Sequence, residues 1–266
     1  MKVLDSITLK DIQNVYGGPE GDLWELIMGE QIHIGGFQSS MDLAKKAGIE
    51  PGMKGIDICC CNGAGMRFLV RFFAIDSITG IDATEKVIEQ GKQRCRDLGL
   101  SDKIKFVLSE VCKTGLPSND ADFIWGEDAW CYVVDKSKLI SEAVRMVKRG
   151  GRIAFTDWME GSSLSLEEAK RYMSFMKFPT ILSLEEYQEL LKKNGCEIIA
   201  AQDTGRFAPY TDLYINMLEM QLTYDGLKII GFDLDLMRSL AGEMKFMQDL
   251  AHQKKIVQGL IVAQKK

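Results

Sequence analysis

The sequence predicts a doubly wound α/β fold: a seven-stranded, mostly parallel sheet, preceded by a helical lid and interrupted by a helical cap. Three observations carry this expectation. From Met53 to about Asp157, short apolar runs alternate with stretches of helical periodicity, as successive βα units do. The first run leads directly into a glycine-bearing loop and then a helix, the arrangement found where parallel sheets bind ligands. The chain has 266 residues, 46% hydrophobic and 27% charged, which suits one core with an embedded cap better than two independent domains.

Residues 1–47 read as the lid, in which Trp24, Ile27, Ile32 and Ile34 lie among several glycines. The candidate strands of the alternating region are Gly55 to Cys60, Ser77 to Asp82, Ile104 to Leu108, Asp122 to Trp125 and Arg152 to Thr156. Between them Met66 to Phe73, Thr84 to Leu98 and Ser137 to Val147 have helical spacing, and Lys148-Arg149-Gly150-Gly151 reads as a basic last turn ended by glycine. Leu166 to Phe178 is expected as an inserted helix, followed by a helix at Leu184 to Asn194 and a strand at Cys196 to Ala201. Pro209 to about His252 reads as one long Met- and Leu-rich helical stretch before a last strand, Ile256 to Ala263. The core is thus expected over 48–160, 182–204 and 254–266, and the cap over 161–181 and 205–253.

Composition excludes several classes. The formal net charge is -5, with lysines and arginines scattered among acids, so no nucleic-acid partner is expected. No basic segment followed by an apolar run opens the chain, and no stretch approaches the roughly 18 apolar residues of a membrane span, so a cytoplasmic protein is expected. Seven cysteines, an odd number, suit reduced thiols rather than a disulfide framework. Cys59, Cys60 and Cys61 are adjacent, yet consecutive strand residues face alternate sides, only two histidines exist, and no metal site is expected. Homo-oligomerisation stays open.

The strongest constellation runs from Gly55 to Gly65, Gly-Ile-Asp-Ile-Cys-Cys-Cys-Asn-Gly-Ala-Gly. Glycines at such a turn let backbone approach a nucleotide-like ligand. Asp82, ending the next strand, is placed to accept hydrogen bonds from both ribose hydroxyls. A dinucleotide fingerprint would need a third glycine at position 68, where Phe68 stands. That argues against a pyrophosphate on the helix N-terminus and for an adenosine bearing an amino acid.

These residues, with Leu116-Pro117 before the Asp122 strand and Val147 to Gly151 before the fifth, resemble class I S-adenosylmethionine-dependent methyltransferases, a Rossmann-like family. Within that class, Ile32 to Gly36, Arg67 to Val70, Asp128-Ala129 and Thr156-Asp157 look most like the sarcosine/dimethylglycine N-methyltransferase branch. The resemblance implies S-adenosyl-L-methionine as cofactor and a small-molecule methyl acceptor, an amine or amino acid. Asp57 and the backbone from Cys59 to Gly65, Cys61 and Gly63 included, would hold the methionyl end, Asp82 and Ala83 the ribose and adenine, and Glu110 and Val111 the adenine edge. Glu127, Asp128 and Trp130 would pack the methionine portion and begin the acceptor pocket. Where the family has its first two loop glycines, this chain has Cys59 and Cys61, so the loop either shifts its dihedrals or carries strain of roughly 1–2 kcal/mol per residue.

Methyl transfer needs a nucleophile held in line, and the protein mostly positions it. His33, Tyr16 and Asp128 are the expected catalytic residues, although His33 could equally order its loop and Tyr16 could merely pack. Trp130, Tyr132, Asp157, Trp158 and Arg206 are the expected acceptor contacts, Arg206 as a clamp for a carboxylate or as an ordinary surface arginine. O-, S- or C-methylation, and a cofactor-binding protein without turnover, remain alternatives. A nicotinamide enzyme is disfavoured by Phe68.

Overall fold

The computed structural model describes residues 1–266. Strand β1 (Lys2–Val3) is followed by helices α1 (Leu9–Tyr16), α2 (Pro19–Met28) and α3 (Gly36–Ala47). The βα region comprises β2 (Lys54–Ile58), α4 (Ala64–Phe72), β3 (Ser77–Asp82), α5 (Glu85–Asp97), β4 (Ile104–Leu108), β5 (Ala121–Glu127), a 3-10 turn (Trp130–Tyr132), α6 (Lys136–Met146) and β6 (Val147–Glu160). The remainder is α7 (Leu166–Met176), β7 (Thr180–Ile181), α8 (Leu184–Lys193), β8 (Cys196–Asp203), α9 (Phe207–Met220), α10 (Thr223–Ile229), α11 (Leu234–His252) and β9 (Ile256–Lys265). No helix is long and apolar enough to cross a membrane.

The main sheet has seven strands in the order β4-β3-β2-β5-β6-β9-β8. Neighbours from β4 to β6 are parallel, while β9 runs antiparallel to both β6 and β8. The chain therefore winds outward from β2 through β3 to β4, then returns to β2's other edge as β5, in register Gly55↔Phe123, Ile56↔Ile124 and Asp57↔Trp125. That reversal opens a crevice at the carboxyl ends of β2 and β5, and it locates the site.

Helices cover both sheet faces, so the central strands are apolar on both sides. Ile56, Ile124 and Phe155 join one buried cluster with Leu139, Ile140 and Tyr187 of α6 and α8. Phe123 and Trp125, one residue to either side of Ile124, join the opposite cluster with Leu43, Phe68 and Leu69 of α3 and α4. A third cluster joins the N-terminal segment to the helices after β6: Ile27 and Ile34 pack with Phe178, Phe207, Tyr214, Met244 and Met247.

The structure departs from the sequence reading in three places. Lys148 to Gly151 is not a last helical turn. Helix α6 stops at Met146, Val147 is extended at φ -75° and ψ 142°, and it already pairs with Ala121. Ladder pairing with β5 takes the chain there, and Gly150 at φ 78° absorbs the register shift. The helical stretch from Pro209 to His252 is divided into three helices, a division the sequence reading did not make. Gly231 and Phe232 are left-handed, at φ 69° and 60°, and Asp233 then caps α11 by accepting from the Asp235 and Leu236 amides, which apolar periodicity does not reveal. Finally, β1 pairs antiparallel with β7, joining the chain's start to the cap through a contact too short to read from sequence.

Gly55 shows how tightly the central strands fit, because a Cβ there would lie 2.3 Å from the Phe123 ring. Gly55→Ala should therefore destabilise the protein by about 1–3 kcal/mol through overpacking. Urea unfolding checks this, and an unchanged midpoint would mean that Phe123 has room to move.

Candidate functional site

The loop after β2 carries its strain rather than avoiding it. Cys59 at φ 61° and Cys61 at φ 48° are both left-handed, and Gly63 at φ 76° opens α4. Asp82 holds the loop in place: its Oδ2 accepts from the Cys61 amide at 2.9 Å and its Oδ1 from the Thr84 amide at 2.9 Å. The Cys60 amide adds a bond to the Ile81 carbonyl at 3.0 Å. Burial pushes the thiols of Cys59, Cys60 and Cys61 above their usual range, which keeps them protonated and unsuited to act as nucleophiles.

Above this loop lies a cavity of about 320 Å³. Its floor holds Asp57 of β2, Cys59 and Cys61 of the loop that follows, Asp82 and Ala83 at the end of β3, Glu110 and Val111 after β4, and Glu127 and Asp128 at the end of β5. Tyr16 and His33 of the N-terminal segment line it as well, and Tyr132 closes one side. Thus twelve of the seventeen residues singled out in the sequence converge on one space, drawn from separate strand ends by the parallel winding.

Gly63 does not face the cavity. A Cβ there would lie 2.6 Å from Phe106, so its absence lets the loop pack against β4. Gly65 faces the cavity instead, and a Cβ there would sit 2.3 Å from Glu127 Oε2. The amides of Gly65 and Met66, in the first turn of α4, have no hydrogen-bond acceptor in the chain. Asp57 is buried without a hydrogen-bond partner, and burial, with Glu127 and Asp82 nearby, pushes its carboxyl well above the usual range.

Around the rim the side chains pair across elements. Ser40 of α3 donates to Glu127 Oε1 at 2.6 Å, and His33 Nε2 lies 3.2 Å from Ser40 Oγ and 3.3 Å from Glu127 Oε1. Ser40 carries no sequence signal, since only the packing of α3 across β6 and β9 brings it here. Tyr16 and Tyr132 meet hydroxyl to hydroxyl at 2.8 Å, with rings 5.3 Å apart edge to face. Burial holds both phenols well above their usual range, so neither is a base. Asp128 at φ 51° spends Oδ2 on the Ile34 amide at 2.8 Å and on Gln258 Nε2 at 2.8 Å. Gln258 also donates to the Ile34 carbonyl at 2.9 Å, so Asp128 and Gln258 together fasten the lid to β9.

Four expected acceptor contacts lie elsewhere. Trp130 is wholly buried and stacks on Phe155 at 4.0 Å. Trp158 packs edge-on against Phe178 and Phe207. Asp157 accepts from the Cys131 amide at 3.0 Å and from the Tyr187 hydroxyl at 2.6 Å. The reason is the length of β6: it runs on to Glu160 paired with β9, so Asp157 and Trp158 are mid-strand rather than at an open carboxyl end. Arg206 donates to Asp42 at 3.0 Å and lies against Gly35, away from the cavity.

The sequence profile of the methyltransferase-domain family matches residues 56–155. Among curated relatives, phosphoethanolamine N-methyltransferase 3 of Arabidopsis thaliana is 23% identical over 241 residues, 84% of this chain and 47% of that protein. Cycloartenol-C-24-methyltransferase 1 of Oryza sativa is 28% identical over 173 residues, 63% of this chain and 50% of that protein. The chain thus spans about half the length of these relatives. Among solved structures, a candidate sarcosine dimethylglycine methyltransferase from Galdieria sulphuraria superposes with a TM-score of 0.84 at 18% identity, covering 93% of this chain and 97% of that one. Phosphoethanolamine N-methyltransferase 2 of Haemonchus contortus, in complex with S-adenosyl-L-methionine, gives 0.82 at 20% identity over 97% of this chain and 60% of that one. At such identities these superpositions establish the fold.

Beneath the site, burial pushes the Asp157 carboxyl up to about 6 while the buried Lys136 ammonium opposes the shift. Between its ordinary value of 3.8 and about 6, the folded chain keeps a proton that the unfolded chain releases. The contribution is therefore complete below about pH 4 and lost as pH rises through about 6, on the order of 2–3 kcal/mol. Asp157→Asn should flatten that fall, as urea melts between pH 4.5 and 7.5 will report; parallel pH profiles would assign the effect to another group.

Proposed function

We infer that this chain, which carries a methyltransferase domain over residues 56–155, is an S-adenosylmethionine-dependent methyltransferase whose acceptor is a small amine. The observation that carries the reading is the Asp82-braced, left-handed loop under a lidded cavity, with Asp57 and Glu127 Oε2 left free to receive cations. The residues fit the cofactor. Asp57 and Glu127 suit its ammonium and sulfonium charges, the unpaired Gly65 and Met66 amides suit its carboxylate, and Asp82, Ala83, Glu110 and Val111 lie where ribose and adenine would follow. When bound, the sulfonium supplies an electrophilic methyl group that an acceptor displaces in line without a covalent enzyme intermediate.

The chain's own part is to position, dehydrate and manage one proton. An amine with a pKa near 10 is neutral only about once in a thousand molecules at pH 7, a handicap of roughly 4 kcal/mol. Leu9, Ile12 and Tyr16 of α1 lower it by excluding water and so disfavouring the ammonium. The Tyr16–Tyr132 hydroxyl pair offers hydrogen bonds without taking the proton. The His33 imidazole, whose Nε2 faces the Ser40–Glu127 pair, is the group to which we assign its removal. We assign residues 1–47 as the lid and the α7 and α9–α11 segments as the cap. The free, mostly buried thiols suit a reducing compartment, and the cytosol is the proposed location.

One observation favours a second reading, retention of the fold without methyl transfer: the [4+2]-cyclase SpnF superposes with a TM-score of 0.78 over 99% of this chain. Ligand binding followed by turnover separates the two.

S-adenosylmethionine or its demethylated product should raise the melting temperature, and Asp82→Ala should weaken binding by about 1–3 kcal/mol, since that carboxylate both braces the loop and faces the cavity. No shift at millimolar ligand, alongside a shift with NAD, would overturn the reading. His33→Ala should lower single-turnover methyl transfer well beyond any loss of cofactor affinity. Equal rates in the variant and the parent protein would reduce His33 to a residue that orders the lid.

A further inference from the structure

We propose that the acceptor is an amine bearing no anionic group, neither phosphate nor carboxylate, with apolar carbon beside its nitrogen. The inference rests on the methyltransferase reading and names the substrate class of the same cavity.

The charges on the cavity wall carry it. Lys138 is the only lysine or arginine there; its ammonium is largely exposed at the mouth and sits 3.1 Å from Asp135, which neutralises it. Other cations near the site face away or are already bound. Arg67 is held by the Asn62 carbonyl and by Glu30, each at 2.6 Å, and Arg206 is held by Asp42. Lys136 is buried below the 3-10 turn, bonded to the Val133 carbonyl at 2.6 Å and to Thr180.

Acid is present in excess. Asp82, Asp128 and Asp135 accept from backbone amides, and Glu30 from Arg67, yet Asp57, Glu110 and one oxygen of Glu127 have no partner. The cofactor, with a sulfonium, an ammonium and a carboxylate, brings a net charge of about +1 and engages part of this excess. No cation remains for a second anion. A phosphomonoester, carrying a charge of roughly -1.5 to -2, would lose its water among like charges with no guanidinium or ammonium to receive it. A carboxylate meets the same deficit. What the wall does offer an acceptor is carbon, from Leu9, Ile12, Tyr16, Tyr132, Val133 and Val134. Phosphoethanolamine, named for several relatives, and sarcosine both fail this charge match.

Isothermal titration of the full chain, first with S-adenosylhomocysteine and then with N-methylbenzylamine, sarcosine or phosphoethanolamine, tests the proposal. N-methylbenzylamine should bind the product complex at least tenfold more tightly than either anionic amine. Equal or tighter binding of phosphoethanolamine or sarcosine would overturn this inference while leaving the methyltransferase reading standing, and so would failure of N-methylbenzylamine to bind. Absence of S-adenosylhomocysteine binding in the first titration would overturn both.

Discussion

A single carboxylate organises the site. Asp82 ends β3 and reaches sideways to the amide of Cys61 in the neighbouring loop, while its other oxygen accepts from Thr84 at the head of its own. Two non-glycine residues at positive φ cost roughly 1–2 kcal/mol each, and they persist only where the surroundings over-determine them. Here the surroundings are one bidentate acceptor, the Cys60–Ile81 backbone bond and Gly63 packed under Phe106. The turn that results exposes the first amides of α4 and leaves Asp57 uncovered at the end of β2.

From that loop outward, the structure concentrates carboxyl groups where burial removes them from water. Burial raises Asp57, Asp82, Asp128 and Asp157 together, a cost the fold accepts because most of their oxygens receive hydrogen bonds from amides, Gln258 or Tyr187. Asp57 is the exception, and an unpartnered buried carboxylate beside an open cavity is the electrostatic mark of a site for cations. The lid is fastened by the same currency of hydrogen bonds, through Ile34 to Asp128 and Gln258 and through Ser40 to Glu127. The position of the N-terminal segment and the His33 contact are thereby linked through residues of one strand end, Glu127 and Asp128.

The family match covers residues 56–155, the part of the chain that builds the loop and strand ends, whereas lid and cap lie outside it. Residues 1–47 supply Leu9, Ile12, Tyr16 and His33 to the cavity, and the helices after β6 supply none of its lining.

The parallel sheet was legible in the sequence because each strand is a short apolar run and each helix a periodic one, and these are local properties. So were Asp57, Asp82, Glu110 and Glu127, since a residue at the end of a parallel strand points into the crevice whatever surrounds it. What sequence alone could not decide was everything set by contacts between distant segments. Asp157 and Trp158 read as pocket residues only if β6 stops at Thr156, and its pairing with β9 to Glu160 turns them into core, while Trp130 turns inward to stack on Phe155. Ser40, Gln258 and Arg206 have no local signature, and their partners lie 87, 224 and 164 residues away. Local patterning determined which elements form and in what order; the tertiary structure decided which of their side chains share a cavity, because that depends on where strands end in three dimensions and on which buried polar groups must find one another.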